Sequence, residues 1–265
     1  MKLSRRQFVL AGAAIVAGCS SDRGRSKPNG FVYDGKTETL DVNGQRGLLM
    51  VPTRQNGHAI VYHHGAGEDE TAPTAEALKA DLVHQLLGAG FAIASCAAHG
   101  DNWGSQPSVA DYSLLINKLG AYEKIIHYSQ SMGGLSGLEV VAAGMRCDGW
   151  FGIYPACDVL AMFDLNTFAP AILEAYTVST REQLVEVATS DPVKQKAEQF
   201  AGVRMRFYAS AADKLVPKAS NTDAMAALVA PAVPEADVVP CVGDHADPSH
   251  FQPADVLAFL GRCVA

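Results

Sequence analysis

Basic charge is scarce in this chain, and no stripe of lysine and arginine runs along it. Its 21 Lys and Arg stand against 28 Asp and Glu, for a net charge of -7. That balance argues against a nucleic-acid partner, whose electrostatic footprint is a basic face. No CxxC pair occurs among the six cysteines, so a structural zinc site has no support. No HxH or HExxH spacing occurs either, which leaves His63, His64, His99, Asp101 and His245 without a metal-ligand pattern. No repeat at a period of about 20 to 50 residues is visible. The apolar run from Phe8 to Val16 is too short to span a bilayer as a mature helix. What is present is an ordinary globular composition, 48% apolar and 18% charged over 265 residues. That length suits one large domain or two small ones and can bury a sizeable core.

The first residues read as targeting rather than fold. "MKLSRRQFVLAGAAIVAGCS" has a basic start, a short apolar run and small residues before Cys19. "SRRQFVL" resembles a twin-arginine export signal, and "VAGC", Val16 to Cys19, resembles the lipobox of bacterial lipoproteins. The resemblance implies a signal peptide over residues 1–18 and a lipid on Cys19. It also implies an exported, extracytoplasmic domain anchored to the bacterial membrane through that lipid. The polar stretch "SSDRGRSKPNG" then reads as a flexible tether over residues 19–30, with the folded domain from 31 to 265. An uncleaved signal anchor, or cleavage nearby by an ordinary signal peptidase, are the alternatives.

The remaining cysteines show no disulfide framework. Cys147 and Cys157 flank the apolar run "DGWFGIYPA", and as a strand that run holds them about 20 to 30 Å apart. A disulfide needs about 4.4 to 6.8 Å between Cα atoms. Cys96 and Cys241 sit in strand-like runs and read as small buried hydrophobes.

Along the chain, "TETLDV" and "GLLMVP" predict two strands joined by an "NGQ" hairpin turn. Strand and helix then alternate: "HAIVYHHG", the amphipathic "TAEALKADLVHQLLGAG", "FAIASCAA", a helix from Ser108 to Leu119, "KIIHYS", and a helix from Gly133 to Met145. "GWFGIYP", "RMRFYAS" and "ADVVPCV" predict three more strands, with helices around Asp223 to Val229 and Ala254 to Gly261. An antiparallel start followed by alternation predicts an α/β fold with a mostly parallel sheet covered on both faces. Residues 158–202 break the rhythm with helical segments and no clear strand. They read as a short helical lid over the sheet edge where such folds bind ligands.

Ser131 is placed where a strand must turn sharply into a helix. "SQSMGG" follows the strand, and its small residues let strand and helix approach closely, which are the mechanics of a nucleophile elbow. The usual form is GxSxG, and here Ser129 stands at the first glycine position. A plain helix N-cap is the competing reading of this stretch alone. A nucleophilic serine needs a base, an orienting acid and an oxyanion site. "YHHGAG" ends the first buried strand, where an N–H of Gly65 or Ala66 can join that of Met132 as oxyanion donors. "ADKLVP" puts Asp213 after a late strand, with Asp158 as the rival acid. "GDHADPSHF" offers His245 and His250. His245, directly after the last strand, has the simpler reach, and His250 reads as structural, aimed at solvent or capping the final helix. Asp244 and Asp247 read as local turn formers. Trp103, Phe163, Phe168 and Tyr176 are candidates for an acyl pocket or for ordinary core.

Taken together, the "HG" turn, the "AAHGDNWGS" turn, the elbow, "DKLVP" and the late histidine fall in one order. In that order the chain resembles the α/β-hydrolase superfamily of serine esterases and lipases, and more narrowly its compact dienelactone-hydrolase-like members, from about Leu40 to Leu260. The resemblance implies Ser131 as nucleophile, His245 as general base and acid, and Asp213 as its orienting partner. It implies no cofactor and a small-molecule or lipid-like carboxylic ester as substrate. The same triad would serve acyl transfer to an acceptor other than water, and some proteins of this fold bind without catalysis. Replacing Cys19 by Ala is expected to block lipidation and leave an uncleaved precursor, visible as a larger band on a gel. A variant processed and fractionated like the parent would refute the anchor.

Overall fold

The computed structural model describes residues 31–265. The expected signal peptide over residues 1–18, Cys19 and the expected 19–30 tether lie outside the described residues. Turn chemistry opens the fold. Asn43 and Gly44 both take positive φ (53° and 78°) and close the hairpin between β1 (Gly35–Val42) and β2 (Gln45–Pro52). This is the two-residue turn whose twist suits antiparallel strands. Val42 pairs with Gln45 at the turn and Gly35 with Pro52 at the open end.

The predicted alternation follows: β3 (His58–His63), α1 (Ala77–Gly88), β4 (Ala92–Cys96), α2 (Gln106–Lys118), β5 (Lys124–Gln130), α3 (Gly133–Ala142) and β6 (Gly149–Ile153). After residues 158–202 come β7 (Arg204–Ser210), α7 (Ala224–Val229), β8 (Ala236–Cys241) and α8 (Pro253–Val264). The helix predicted to reach Met145 stops at Ala142. Gly144 takes a positive φ of 82°, and the Met145 N–H folds back to Val140 O, which terminates the helix. Residues 158–202 contain three short helices, α4 (Val159–Asp164), α5 (Ala169–Tyr176) and α6 (Arg181–Val187), and no strand.

The eight strands form one sheet in the order β1-β2-β4-β3-β5-β6-β7-β8. β1, β2 and β4 pair antiparallel, and from β4 through β8 every pairing is parallel. Strand residues alternate between two covered faces, as a period of two requires. Ile60, Tyr62, Ile126, Tyr128, Phe151 and Ile153 meet Leu82 and Leu86 of α1 and Phe259 and Leu260 of α8. On the opposite face, Val61 and Ile125 meet Tyr112 and Leu115 of α2. Farther along that face, Trp150, Met205 and Phe207 meet Leu138 of α3 and Val229 of α7. With both faces covered, the polar chemistry is left to the loops at the strand ends. The five cysteines among the described residues are all free.

The approach of α3 to the sheet depends on two glycines. A Cβ at Gly133 would collide with His63 O, and one at Gly134 with Ala156 O. Gly261, on α8, has nothing within 4 Å of the equivalent point. Gly134→Ala is therefore expected to cost about 1–3 kcal/mol, read as a lower urea midpoint at constant m. Gly261→Ala is expected to be neutral or to add up to about 1 kcal/mol.

Candidate active site

Four loops converge at the carboxyl ends of parallel strands. Ser131 is the first residue after β5, and its φ of 51° lies in the left-handed region that a serine rarely adopts. The conformation is held from β6. The Ser131 N–H donates to Ile153 O (3.1 Å), and Ser131 O accepts from the Ala156 N–H (2.8 Å) and the Gly134 N–H (2.9 Å). The serine at the first position of the motif also has a local account. Ser129 Oγ accepts from the Trp150 indole N–H at 3.0 Å. It occupies room that exists only because residue 137 is glycine, since a Cβ there would collide with that oxygen.

Ser131 Oγ lies 2.9 Å from His245 Nε2, and His245 Nδ1 lies 2.7 Å from Asp213 Oδ2. Asp213 Oδ1 accepts the N–H groups of Leu215 (2.8 Å) and Val216 (3.0 Å). Burial pushes the Asp213 carboxyl up, but hydrogen bonding and attraction from His245, with these two backbone donors, outweigh it and leave the acid below its ordinary range. The rival, Asp158, is occupied elsewhere: its Oδ1 accepts the Ala161 N–H at 2.8 Å as the N-cap of α4.

The structure brings His245, and not His250, to Ser131. His250 is buried in a turn of Pro248–His250, with Nδ1 3.0 Å from Asp247 O, and its ring meets Tyr154 edge-on at 5.1 Å. It neither faces solvent nor caps the final helix, because Tyr154 draws it into the core. Burial holds its imidazole below the ordinary value. Asp247 and Asp244 shape the turn: Asp247 Oδ1 accepts the Ser249 N–H (2.9 Å), and Asp244 O accepts the Asp247 N–H (2.9 Å).

Sequence reasoning passed over two supports. Tyr154, at a φ of 40°, packs its ring 4.1 Å from that of His245. Its hydroxyl accepts from Gln130 Nε2 (2.8 Å), whose Oε1 accepts from the Tyr62 hydroxyl (2.7 Å). Ser210 ties the loop of Asp213 to the loop of His245, with its hydroxyl donating to Gly243 O at 2.7 Å while its Oγ accepts the Ala212 N–H at 3.1 Å. Gln130 stood inside the quoted motif, but nothing in the sequence marked Ser210 or Tyr154 as facing the site.

At the oxyanion side, Gly65 is not free to serve, because its N–H donates to Glu68 Oε2 at 2.8 Å. The N–H groups of Ala66 and Met132 have no partner among the described residues. His64 fixes this loop, with Nδ1 2.8 Å from Gly65 O and Nε2 3.0 Å from Ala97 O. The other histidines weighed for metal go to protein partners: His63 Nε2 lies 3.3 Å from His127 Nδ1, and His99 Nδ1 lies 2.8 Å from Asp111 Oδ2. Residues 158–202 pack on the elbow, with Met132 and Leu135 in one apolar cluster with Val159, Met162, Ile172 and Leu184. Trp103 is buried in that cluster, 4.7 Å from the Phe168 ring, and its carbonyl accepts the Tyr176 hydroxyl at 3.0 Å. Phe163, Phe168 and Tyr176 lie partly buried at its margin.

No family model matches the chain, and no curated protein matches it. Solved structures do. A puromycin-hydrolyzing peptidase of Mycobacterium tuberculosis superposes with a TM-score of 0.71 at 14% identity, over 89% of this chain and 40% of that one. TT1662 from Thermus thermophilus gives 0.61 at 15% identity, over 87% and 98%. A cold-adapted esterase from an Arctic intertidal metagenomic library gives 0.57 at 16% identity, over 85% and 92%. The chain spans about 40% of the length of the peptidase. At these identities the likeness is one of fold, and the fold is that of the α/β-hydrolases.

The lowered pKa of Asp213 carries a sign for stability. A carboxyl whose folded pKa lies below its unfolded one, about 3.9, stabilises fully above that value. The contribution fades as pH falls through the lower folded value. Asp213→Asn is therefore expected to flatten the acid side of the stability curve, measured as urea midpoint from pH 6 down to about pH 2.5.

Proposed function

We propose that this protein is a serine hydrolase that cleaves carboxylic esters, exported and held at the membrane by lipid on Cys19. The observation that carries the reading is the continuous hydrogen-bonded line from Ser131 Oγ through His245 to Asp213. In this reading Ser131 Oγ attacks the ester carbonyl carbon while His245 Nε2 takes its proton. Asp213 holds the Nδ1 proton and stabilises the imidazolium that forms. The oxyanion of the tetrahedral intermediate accepts from the Met132 and Ala66 N–H groups. Collapse breaks the bond to the alkoxy oxygen, which leaves as the alcohol with the proton from His245. Water, deprotonated by the same nitrogen, then attacks the acyl-enzyme, and Ser131 is regenerated as the acid departs. The apolar residues of the 158–202 segment beside Met132 favour an acyl group without charge.

The test is a panel of p-nitrophenyl esters of graded acyl length beside matching p-nitroanilides, with a fluorophosphonate as covalent label. Ester turnover and labelling at Ser131 are expected, with loss of about a million-fold in kcat for Ser131→Ala. His245→Ala is expected to lose nearly all turnover, while His250→Ala keeps a measurable part and mainly loses stability. Full ester hydrolysis by Ser131→Ala would sink the reading, and preference for the anilides would move it to a peptidase. Transfer of the acyl group to an added alcohol in place of water, seen by mass spectrometry, would mark an acyltransferase.

A further inference from the structure

A lysine and a glutamate beside the site have no part in the mechanism so far. Lys79, on α1, has a side chain that is 0% exposed, and its ammonium is paired with Glu68 Oε1. Glu76 Oε1 is the next carboxylate, 3.6 Å away on an exposed side chain. A fully buried ammonium is costly to keep unless it is paired. This one is paired with a carboxylate whose other oxygen, Oε2, accepts the Gly65 N–H at 2.8 Å.

Gly65 brings the pair to the reaction. A Cβ added at Gly65 would lie 3.3 Å from Glu68 Oε2 and 3.5 Å from Ser131 Cβ, so the carboxylate and the nucleophile flank the same glycine. The carboxylate does two opposed things there. By holding the Gly65 N–H it fixes the loop that presents the next N–H, that of Ala66. By carrying negative charge it opposes the negative charge that develops on the substrate oxygen nearby. Its charge reaches this region: burial first, and then Glu68, push the Tyr154 phenol far above its ordinary value, and Tyr154 packs against His245.

We infer that Glu68 and Lys79 are positioning residues of the oxyanion site, Glu68 fixing the Gly65–Ala66 turn and Lys79 cancelling the charge that this fixing introduces. The inference rests on the serine-hydrolase reading above. It explains why an ammonium is buried at this point: a neutral residue would leave the turn anchored by an uncompensated anion at the glycine that flanks Ser131.

Charge cancellation and a purely structural strap predict different kinetics. Lys79→Met is expected to lower kcat for a p-nitrophenyl ester by at least about tenfold, with KM changed by less than about threefold, because the penalty falls on the transition state. Adding Glu68→Gln keeps an oxygen for the Gly65 N–H and removes the anion. The double variant is expected to regain about tenfold in kcat over Lys79→Met alone. Melting temperature checks folding, and Lys79→Gln replaces Lys79→Met if the latter does not fold. If the parent labels at Ser131 and the lysine variants keep full kcat, the inference falls alone. A double variant as slow as, or slower than, the single also overturns it and leaves a structural strap. A parent that neither labels nor turns over any ester brings down the hydrolase reading and this inference together.

Discussion

The backbone reversal at Ser131 is the constraint on which the rest depends. A strand runs directly into a helix with one left-handed residue between them, and that residue is not glycine. Such a conformation costs on the order of 1–3 kcal/mol and persists only where its surroundings fix it. Here β6 and the residues just after it supply the fixing, since Ile153 O takes the Ser131 N–H and the Ala156 N–H donates to Ser131 O. The same geometry demands bare α-carbons at Gly133 and Gly134, where α3 crosses His63 O and Ala156 O. In return the hydroxyl stands clear of both elements at the carboxyl edge of the sheet, and α3 begins with its N-terminal amides beside it.

Around that fixed point the charges are distributed with care for burial. Asp213 receives two backbone N–H groups besides the His245 ring, so its charge is solvated by the protein. The Ser210 hydroxyl bonds across to Gly243 O, so the loops that carry Asp213 and His245, from different strands, are held as one unit. An imidazole that bridges Ser131 and Asp213 at 2.9 and 2.7 Å tolerates little independent movement of either loop. Tyr154 adds a wall behind the imidazole, itself held through Gln130 to Tyr62.

Much of this was legible in the sequence because it rests on local rules. The hairpin followed from an Asn-Gly pair, the parallel sheet from apolar runs alternating with helical spacing, and the elbow from a strand ending in small residues. Ser131, Asp213 and His245 were legible because each follows a strand, and strand ends converge at one edge of such a sheet. What was not legible depends on partners far apart in the chain. The Gly65 N–H looked free, and only Glu68 folding back across three residues shows it spent. His250 read as structural, aimed at solvent or capping the final helix, because prolines stiffen the chain around it, yet Tyr154, nearly a hundred positions earlier, covers it. Lys79 lies in the stretch predicted as an amphipathic helix, and nothing in that periodicity marks it as buried and paired with Glu68.

Ser129 leaves one consequence. Its hydroxyl fills the space above Gly137 and satisfies the Trp150 indole, so three positions on three different elements form one steric and polar unit. The three positions are expected to change only in concert. A side chain at 137 is excluded while 129 carries its hydroxyl, and a glycine at 129 strands a buried indole N–H. Homologues that restore the glycine should therefore carry a different residue in place of Trp150, or a larger one at 137. The departure from the familiar motif and its compensation would then be inherited as a set.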